Sequence, residues 1–251
     1  MIQQGARTPF AWPDGKRAAV SLSFDDARES QLDPGIVVLD ACGAKATFYV
    51  SIGGLDRRLD HWRRAADAGH EIGNHTRNHP CSGNFPFARE RALENYSLGR
   101  MEDELLDAQE AIEDRLGVVC ETFAYPCANK FVGRGQTVQS YVPLVARHFL
   151  AGRNAYNETH NDPSFCDLAQ LWGREADRAT VEQLRAMVDQ AVEAGGWLVF
   201  FGHDVGEAGV HQTVDAAALE ALCRYCLDPA RGIWLDTVAA VGRHIRDARE
   251  S

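Results

Sequence analysis

Two carboxylates stand side by side at the end of an apolar run: Ala18 to Ala27 reads AAVSLSFDDA, so Asp25 and Asp26 follow directly on Phe24. Further on, Gly69 to His79 reads GHEIGNHTRNH, with His75 and His79 four apart, a spacing that puts both imidazoles on one side of a helical turn. One carboxylate and two imidazoles make a three-ligand set, which leaves a coordination position open for water or substrate as in catalytic zinc sites. The other carboxylate is then free to take a proton. Successive side chains of a strand point to opposite faces, so Asp25 and Asp26 can serve one site only where the strand has ended and the chain turns. Each piece also has a plainer reading. An Asp-Asp pair after a strand is commonly turn or N-cap chemistry, and a lone H-x-x-x-H is commonly a surface turn.

The elements that must position these residues alternate. Ala18 to Phe24 is a first strand, Pro34 to Ala41 a short helix ended by Gly43, and Ala46 to Val50 a β-branched and aromatic second strand. Leu59 to Ala68 is helical with Gly69 as its stop, and Glu71 to Gly73 is a short strand that delivers His75 into a loop. His79 to Leu98 reads as a long functional loop leading into a helix striped by Leu105, Ala108, Ile112 and Leu116. Cys120 to Ala124 is a fourth strand. A helix around Gln139 to Arg147, a strand near His148 to Ala151 and another at Leu171 and Trp172 follow.

The C-terminal third is more regular. Val181 to Ala194 is an amphipathic helix N-capped by Thr180 with Gln183 in the capping-box position. Trp197 to Phe201 is a continuous apolar run, as expected of a strand buried on both faces, and is closed by Gly202 and His203. A helix within Thr213 to Leu227, a strand at Ile233 to Leu235 and a last helix from about Thr237 to Ala248 complete the chain. Asp25, Asp26, His75 and His203 all follow apolar strands, so the β/α repeats predict a parallel barrel with these residues on its C-terminal rim.

Composition sets bounds. With 251 residues, 45% hydrophobic and 25% charged, residues 1–251 read as one globular domain. A formal net charge of -10 argues against nucleic acid or anionic membranes as partners. The N-terminal stretch to Ala18 shows no basic start before an apolar core, and no stretch approaches membrane-spanning length, which predicts a cytoplasmic protein. Seven scattered cysteines, an odd number, suggest reduced thiols. The C-x-x-C of Cys223 and Cys226 lies inside a helical pattern and reads as a buried helical face.

Ser23-Phe24-Asp25-Asp26, then Gly-His-Glu-Ile-Gly-Asn before His75-Thr-x-x-His79, then the strand closed by Phe201-Gly202-His203, resemble the polysaccharide deacetylases of carbohydrate esterase family 4, the NodB-homology group. The resemblance covers nearly the whole chain. It implies an irregular (β/α) barrel of about seven units, an α/β fold. It further implies Asp25 as catalytic base, Asp26, His75 and His79 as ligands of a divalent metal, and His203 as general acid. The metal implied is Zn²⁺ first, with Co²⁺, Ni²⁺ or Mn²⁺ as alternatives. The activity implied is hydrolysis of acetyl groups from N-acetylated amino sugars. O-acetyl esterase or amidase activity on a small non-sugar substrate, and a non-catalytic carbohydrate-binding role, stand as alternatives.

The chain departs from the family pattern in its third motif. An arginine that braces the base is usual there, but the segment reads Phe123-Ala124-Tyr125-Pro126-Cys127, with Ala124 in its place. Arg174 is the expected substitute. Cys127 can still offer a backbone N–H to an oxyanion, and its thiol has a second reading as a nucleophile. Tyr125 and Trp172 are expected to contact substrate, with Trp172 lining the acetyl pocket. Oligomeric state is left open by the sequence.

Overall fold

Alternation of period two within the strands decides the architecture. In the computed structural model, which describes residues 10–250, β1 (Ala18–Asp25) is buried along its whole length. Val20, Leu22 and Phe24 face the main core beneath the helices. Ala19 turns the other way, into a second cluster with Trp197 and Val199, and Ser21 accepts a 3.0 Å hydrogen bond from the Trp197 indole. By that alternation Asp25 ends the strand pointing inward. Residues 1–9, the start of the stretch read for a leader, lie outside the described residues.

Six further strands complete a ring: β2 (Thr47–Val50), β3 (Glu71–Asn74), β4 (Thr122–Ala124), β5 (Ala151–Arg153), β6 (Gly173–Glu175) and β7 (Trp197–Gly202). Their order is β5-β4-β3-β2-β1-β7-β6, every pairing is parallel, and Phe24 sits opposite both Phe48 and Gly202. The ends meet where Leu171 donates to the Gly152 carbonyl (2.8 Å) and accepts from the Asn154 N–H (2.7 Å). The result is the nearly closed seven-stranded barrel that the resemblance implied. An eighth strand, β8 (Ile233–Leu235), pairs only with the start of β1.

Helices α1 (Ile36–Cys42), α2 (Ile52–Arg57), α3 (Leu59–Asp67), α4 (Leu98–Leu116), α5 (Val142–His148), α6 (Val181–Ala194) and α7 (Ala216–Leu227) cover the outside. The capping box of Thr180 and Gln183 starts α6 as expected. The last helix, α8 (Val238–Glu250), sets Val238, Val241 and Ile245 with Trp12, Ala151 and Trp197 and closes the N-terminal end of the barrel. Glu71 ties that end together: Thr47 and Thr122 hydroxyls donate to it, as does the Ala239 N–H (2.9 Å) near the start of α8. The opposite, C-terminal end stays open.

Several expectations shift. The helix read over Gln139 to Arg147 begins at Val142, because Gln139 and Ser140 pair antiparallel with Val132 and Phe131. The strand read near His148 starts at Ala151, since α5 runs through His148. The strand read at Leu171 and Trp172 lies at Gly173–Glu175, with Leu171 bridging to Arg153 just before it. No helix among the described residues is long and apolar enough to cross a membrane.

Candidate active site

The turn after β1 explains how adjacent carboxylates reach one place. Asp26 (φ 77°) and Ala27 (φ 52°) both take left-handed backbone conformations that non-glycine residues rarely adopt. They are held by the Asp26 N–H to the Tyr49 carbonyl (3.0 Å) and by the Ser51 hydroxyl to the Asp26 carbonyl (2.8 Å). Gly54 permits this: a Cβ there would lie 2.6 Å from the Asp26 carbonyl oxygen and 2.7 Å from that of Ala27. Gly54→Ala is therefore expected to push the Asp26 turn outward and weaken metal binding at least about tenfold, the cost typical of disturbing a ligand's support, as titration calorimetry with Zn²⁺ would read.

His75 and His79 lie in the loop after β3, not on the helical turn their spacing suggested. Thr76 (φ 67°) and His79 (φ 50°) bend that loop, and the Thr76 hydroxyl accepts from the His79 N–H (3.0 Å). The outcome is still convergence. His75 Nε2 is 3.6 Å and His79 Nε2 3.4 Å from Asp26 Oδ1, and one ligand atom of each residue lies within 4.8 Å of the others. Tetrahedral ligands at zinc distances of about 2.0–2.1 Å stand about 3.3–3.4 Å apart, so the three donors fit such an ion. His75 Nδ1 donates to the Ala124 carbonyl (2.9 Å), which leaves Nε2 with its lone pair toward Asp26.

Electrostatics keep the donors in ligand form. Burial raises the Asp26 carboxyl, but His75, His79, His203 and Arg28 outweigh it and hold it down to about 2. Burial and the His75 ring push His79 down to about 4, so its imidazole is neutral near pH 7. Arg28 fixes Asp26 Oδ2 (3.0 Å) and is itself held by Asp204 (2.6 Å) and Gln212 (2.9 Å). Asp204, beside His203 in the chain, thus orients Asp26 through Arg28.

Asp25 is paired with Arg153, whose guanidinium contacts Oδ1 from a fully buried position between the Tyr49 and Phe201 rings. Burial raises the Asp25 carboxyl, yet Arg153 and the nearby histidines prevail and its pKa is lowered. The brace is therefore Arg153 and not Arg174. Alternation along β6 is the reason: Gly173 faces inward against Arg153 and Phe201, while Arg174 faces outward, where its guanidinium reaches only Gln190 of α6 (3.5 Å).

His203 is buried, and its Nδ1 bonds to Asp177 Oδ2 (2.6 Å), while Asp177 Oδ1 accepts from the His203 N–H (3.0 Å). Burial lowers the imidazole pKa, but the Asp177 bond and the surrounding carboxylates raise it above its ordinary value. With Nδ1 engaged, Nε2 is the nitrogen left for the cavity. Neither Arg153 nor Asp177 was among the expected site residues. The signal for each is weak: Arg153 is a lone charge at the very end of its strand in LAGRN, and Asp177 lies two residues past a strand among other charges in READR.

Asp25, Asp26, Arg28, His75, His79 and His203 line a cavity of about 520 Å³ that also includes Tyr125, Cys127, Phe85, Phe87 and Tyr156. Tyr125 contributes ring surface only, since its hydroxyl is bonded to the Ala169 carbonyl (2.6 Å). Trp172 is not in this cavity. Asn161 bonds its backbone on both sides, and it lines a separate groove with His160 and Phe165. Cys127 follows Pro126 in a tight turn whose bonds run from Ala128 to Tyr125 and from Asn129 to Pro126 (both 3.0 Å), and its N–H has no hydrogen-bond acceptor among the described residues. Its sulfur is joined to Cys81 in a disulfide. The expectation of reduced thiols fails at this pair, and so does the reading of Cys127 as a nucleophile. Odd counts and wide spacing do not reveal two loops that the barrel rim brings together.

A sequence profile of the polysaccharide deacetylase family matches residues 13–140. A gellan lyase from Bacillus sp. is 31% identical over 151 residues, 60% of this chain and 5% of that protein. A peptidoglycan-N-acetylglucosamine deacetylase from Bacillus cereus is 33% identical over 87 residues, 31% of this chain and 32% of the relative. The chain thus spans about a third or less of the length of the curated relatives it matches. In three dimensions it is similar to a protein described as a polysaccharide deacetylase from Mycobacterium smegmatis, with a TM-score of 0.68 at 20% identity over 96% of this chain and 94% of the other.

Proposed function

Since the chain belongs to the polysaccharide deacetylase family, we propose that it is a metal-dependent hydrolase that removes acetyl groups from an N-acetylated amino-sugar substrate. The observation that carries this reading is the division of labour between adjacent carboxylates: Asp26 joins His75 and His79, while Asp25 is held ionised by Arg153 on the other side of the turn. Asp26, His75 and His79 would hold the divalent ion, which supplies Lewis-acid polarisation of the acyl carbonyl and lowers the pKa of bound water.

The chain's own residues then divide the proton traffic. Asp25 Oδ1 is occupied by Arg153, so Oδ2 is the atom that accepts a proton from the attacking water. The Cys127 N–H would donate to the acyl oxygen as charge builds on it, a reading supported by the position of Cys127 in the cavity lining. His203, whose pKa the Asp177 bond helps to raise, delivers a proton from Nε2 to the leaving nitrogen. Tyr125 walls the acyl group.

The testing experiment is acetate release by metal-reconstituted protein, with a chelated control, from N-acetylglucosamine oligomers, O-acetylated xylan and a simple acetyl ester. Chelator-sensitive release from the amides is expected. Release from the esters alone would replace the amide reading with an O-acetyl esterase. In Asp177→Asn the largest upward push on His203 is removed. Because the acid works only while protonated, the alkaline limb of the kcat profile should move to lower pH, with kcat near neutrality down about 10- to 100-fold.

A further inference from the structure

The kind of substrate can be narrowed from cavity groups that the reaction leaves unused, an inference that rests on reading the cavity as a deacetylase site. Three arginines line it: Arg28, Arg57 and Arg91. Arg28 is committed to Asp26, Asp204 and Gln212, and Arg153 to Asp25. Of these three carboxylates two are matched by arginines, and a divalent ion on Asp26 more than balances the third. Arg57 and Arg91 are then surplus positive charge.

Their partners are few. Arg57 has a 56% exposed side chain, bonds the Gly53 carbonyl (3.2 Å) and stands 3.7 Å from Glu29, itself 57% exposed, a pairing that contributes little in water. Arg91 has no acidic partner among the described residues, and its Nε is buried without a hydrogen-bond acceptor. A buried donor left unpaired is costly, and native structures rarely leave one without a purpose. Arg91 ends the short helical turn Pro86–Arg91 that also carries Phe87, and Phe87 lies 5.4 Å from Phe85 between ring centres, both exposed in the cavity wall. One guanidinium with no acidic partner among the described residues and one only weakly paired, beside exposed rings on a chain of net charge -10, mark a local site.

We propose that the acylated substrate carries a carboxylate, which Arg91 and Arg57 engage while a sugar ring rests on Phe85 and Phe87. A guanidinium offers a planar fork that matches a carboxylate with two parallel hydrogen bonds, and aromatic faces suit the apolar side of a sugar. The substrate is then an acidic acetylated saccharide rather than a neutral one.

The test uses two disaccharides of equal length, each with an N-acetylated amino sugar, one joined to a uronate and the other to its neutral counterpart. Binding to metal-loaded Asp25→Asn protein is measured by calorimetry, and kcat/KM by acetate release from the wild type. The uronate should bind about tenfold more tightly, with the preference lost in Arg91→Gln and reduced in Arg57→Gln made in the same Asp25→Asn background. Equal or weaker binding of the uronate, binding of neither, or a preference that survives both substitutions would overturn the proposal. Turnover without preference would leave the deacetylase reading standing and remove this one. Preference in binding with no turnover of either disaccharide would do the reverse.

Discussion

Asp25→Asn should lower kcat by about 10³-fold while zinc still binds with near wild-type affinity and one-to-one stoichiometry. The size follows from the loss of a general base, which contributes about 10²–10⁴-fold. Retention of metal follows from the geometry, because Asp25 faces Arg153 and the ligand atoms belong to Asp26, His75 and His79. Steady-state kinetics paired with metal analysis checks both halves. His75→Ala provides the contrast, losing metal and activity together, and normal turnover in either variant would remove Asp25 or His75 from the mechanism.

Arg153→Met is expected to lower stability by about 3–5 kcal/mol and kcat by about 10²-fold or more, since removing one partner of a buried ion pair strands the other charge. In the wild type the Asp25 carboxyl is held below its unfolded value. The pair's contribution is therefore present above the unfolded pKa and fades as pH falls through the folded one. Without Arg153, burial is the largest influence left and pushes the carboxyl up. The acid limb of the activity profile should then move to higher pH, and the stability deficit should shrink in acid, where Asp25 is protonated in both proteins. Denaturant unfolding across pH measures the deficit. The Arg153→Met, Asp25→Asn double variant should recover part of the lost stability, as coupled partners do. Equal deficits at all pH values would show that Arg153 acts by packing alone.

The parts of the site legible in the sequence are those whose residue types are grouped in the chain. Asp25 and Asp26 stand together at a strand end, and His75 and His79 share one short segment, so type and spacing suffice to pair them. Their geometry was less legible: the histidines converge through two left-handed residues rather than a helical turn. Arg153 stands alone in the sequence and Asp177 is one charge among several in READR, 128 residues from Asp25 and 26 from His203 respectively, and only closure of the ring through Leu171 brings the first into place. Strands of three residues, as at Gly173–Glu175, are too short to show which side chain points inward, and so Arg174 stood in for Arg153. The long strands announced themselves, β1 by its alternation and β7 as a continuous apolar run, and with them the barrel.

The bridge between Cys81 and Cys127 spans 46 residues and encloses α4 together with Phe85, Phe87 and Arg91. A covalent loop of that length restricts the unfolded chain by about 4 kcal/mol on a chain-entropy account. One side of the cavity is thus cross-linked by a bond that depends on the surroundings being oxidising. The thiol content of the buffer becomes a variable in any assay of this protein. Preparations kept in dithiothreitol should melt at lower temperature, and protein made in a reducing host should gain thermal tolerance after mild oxidation.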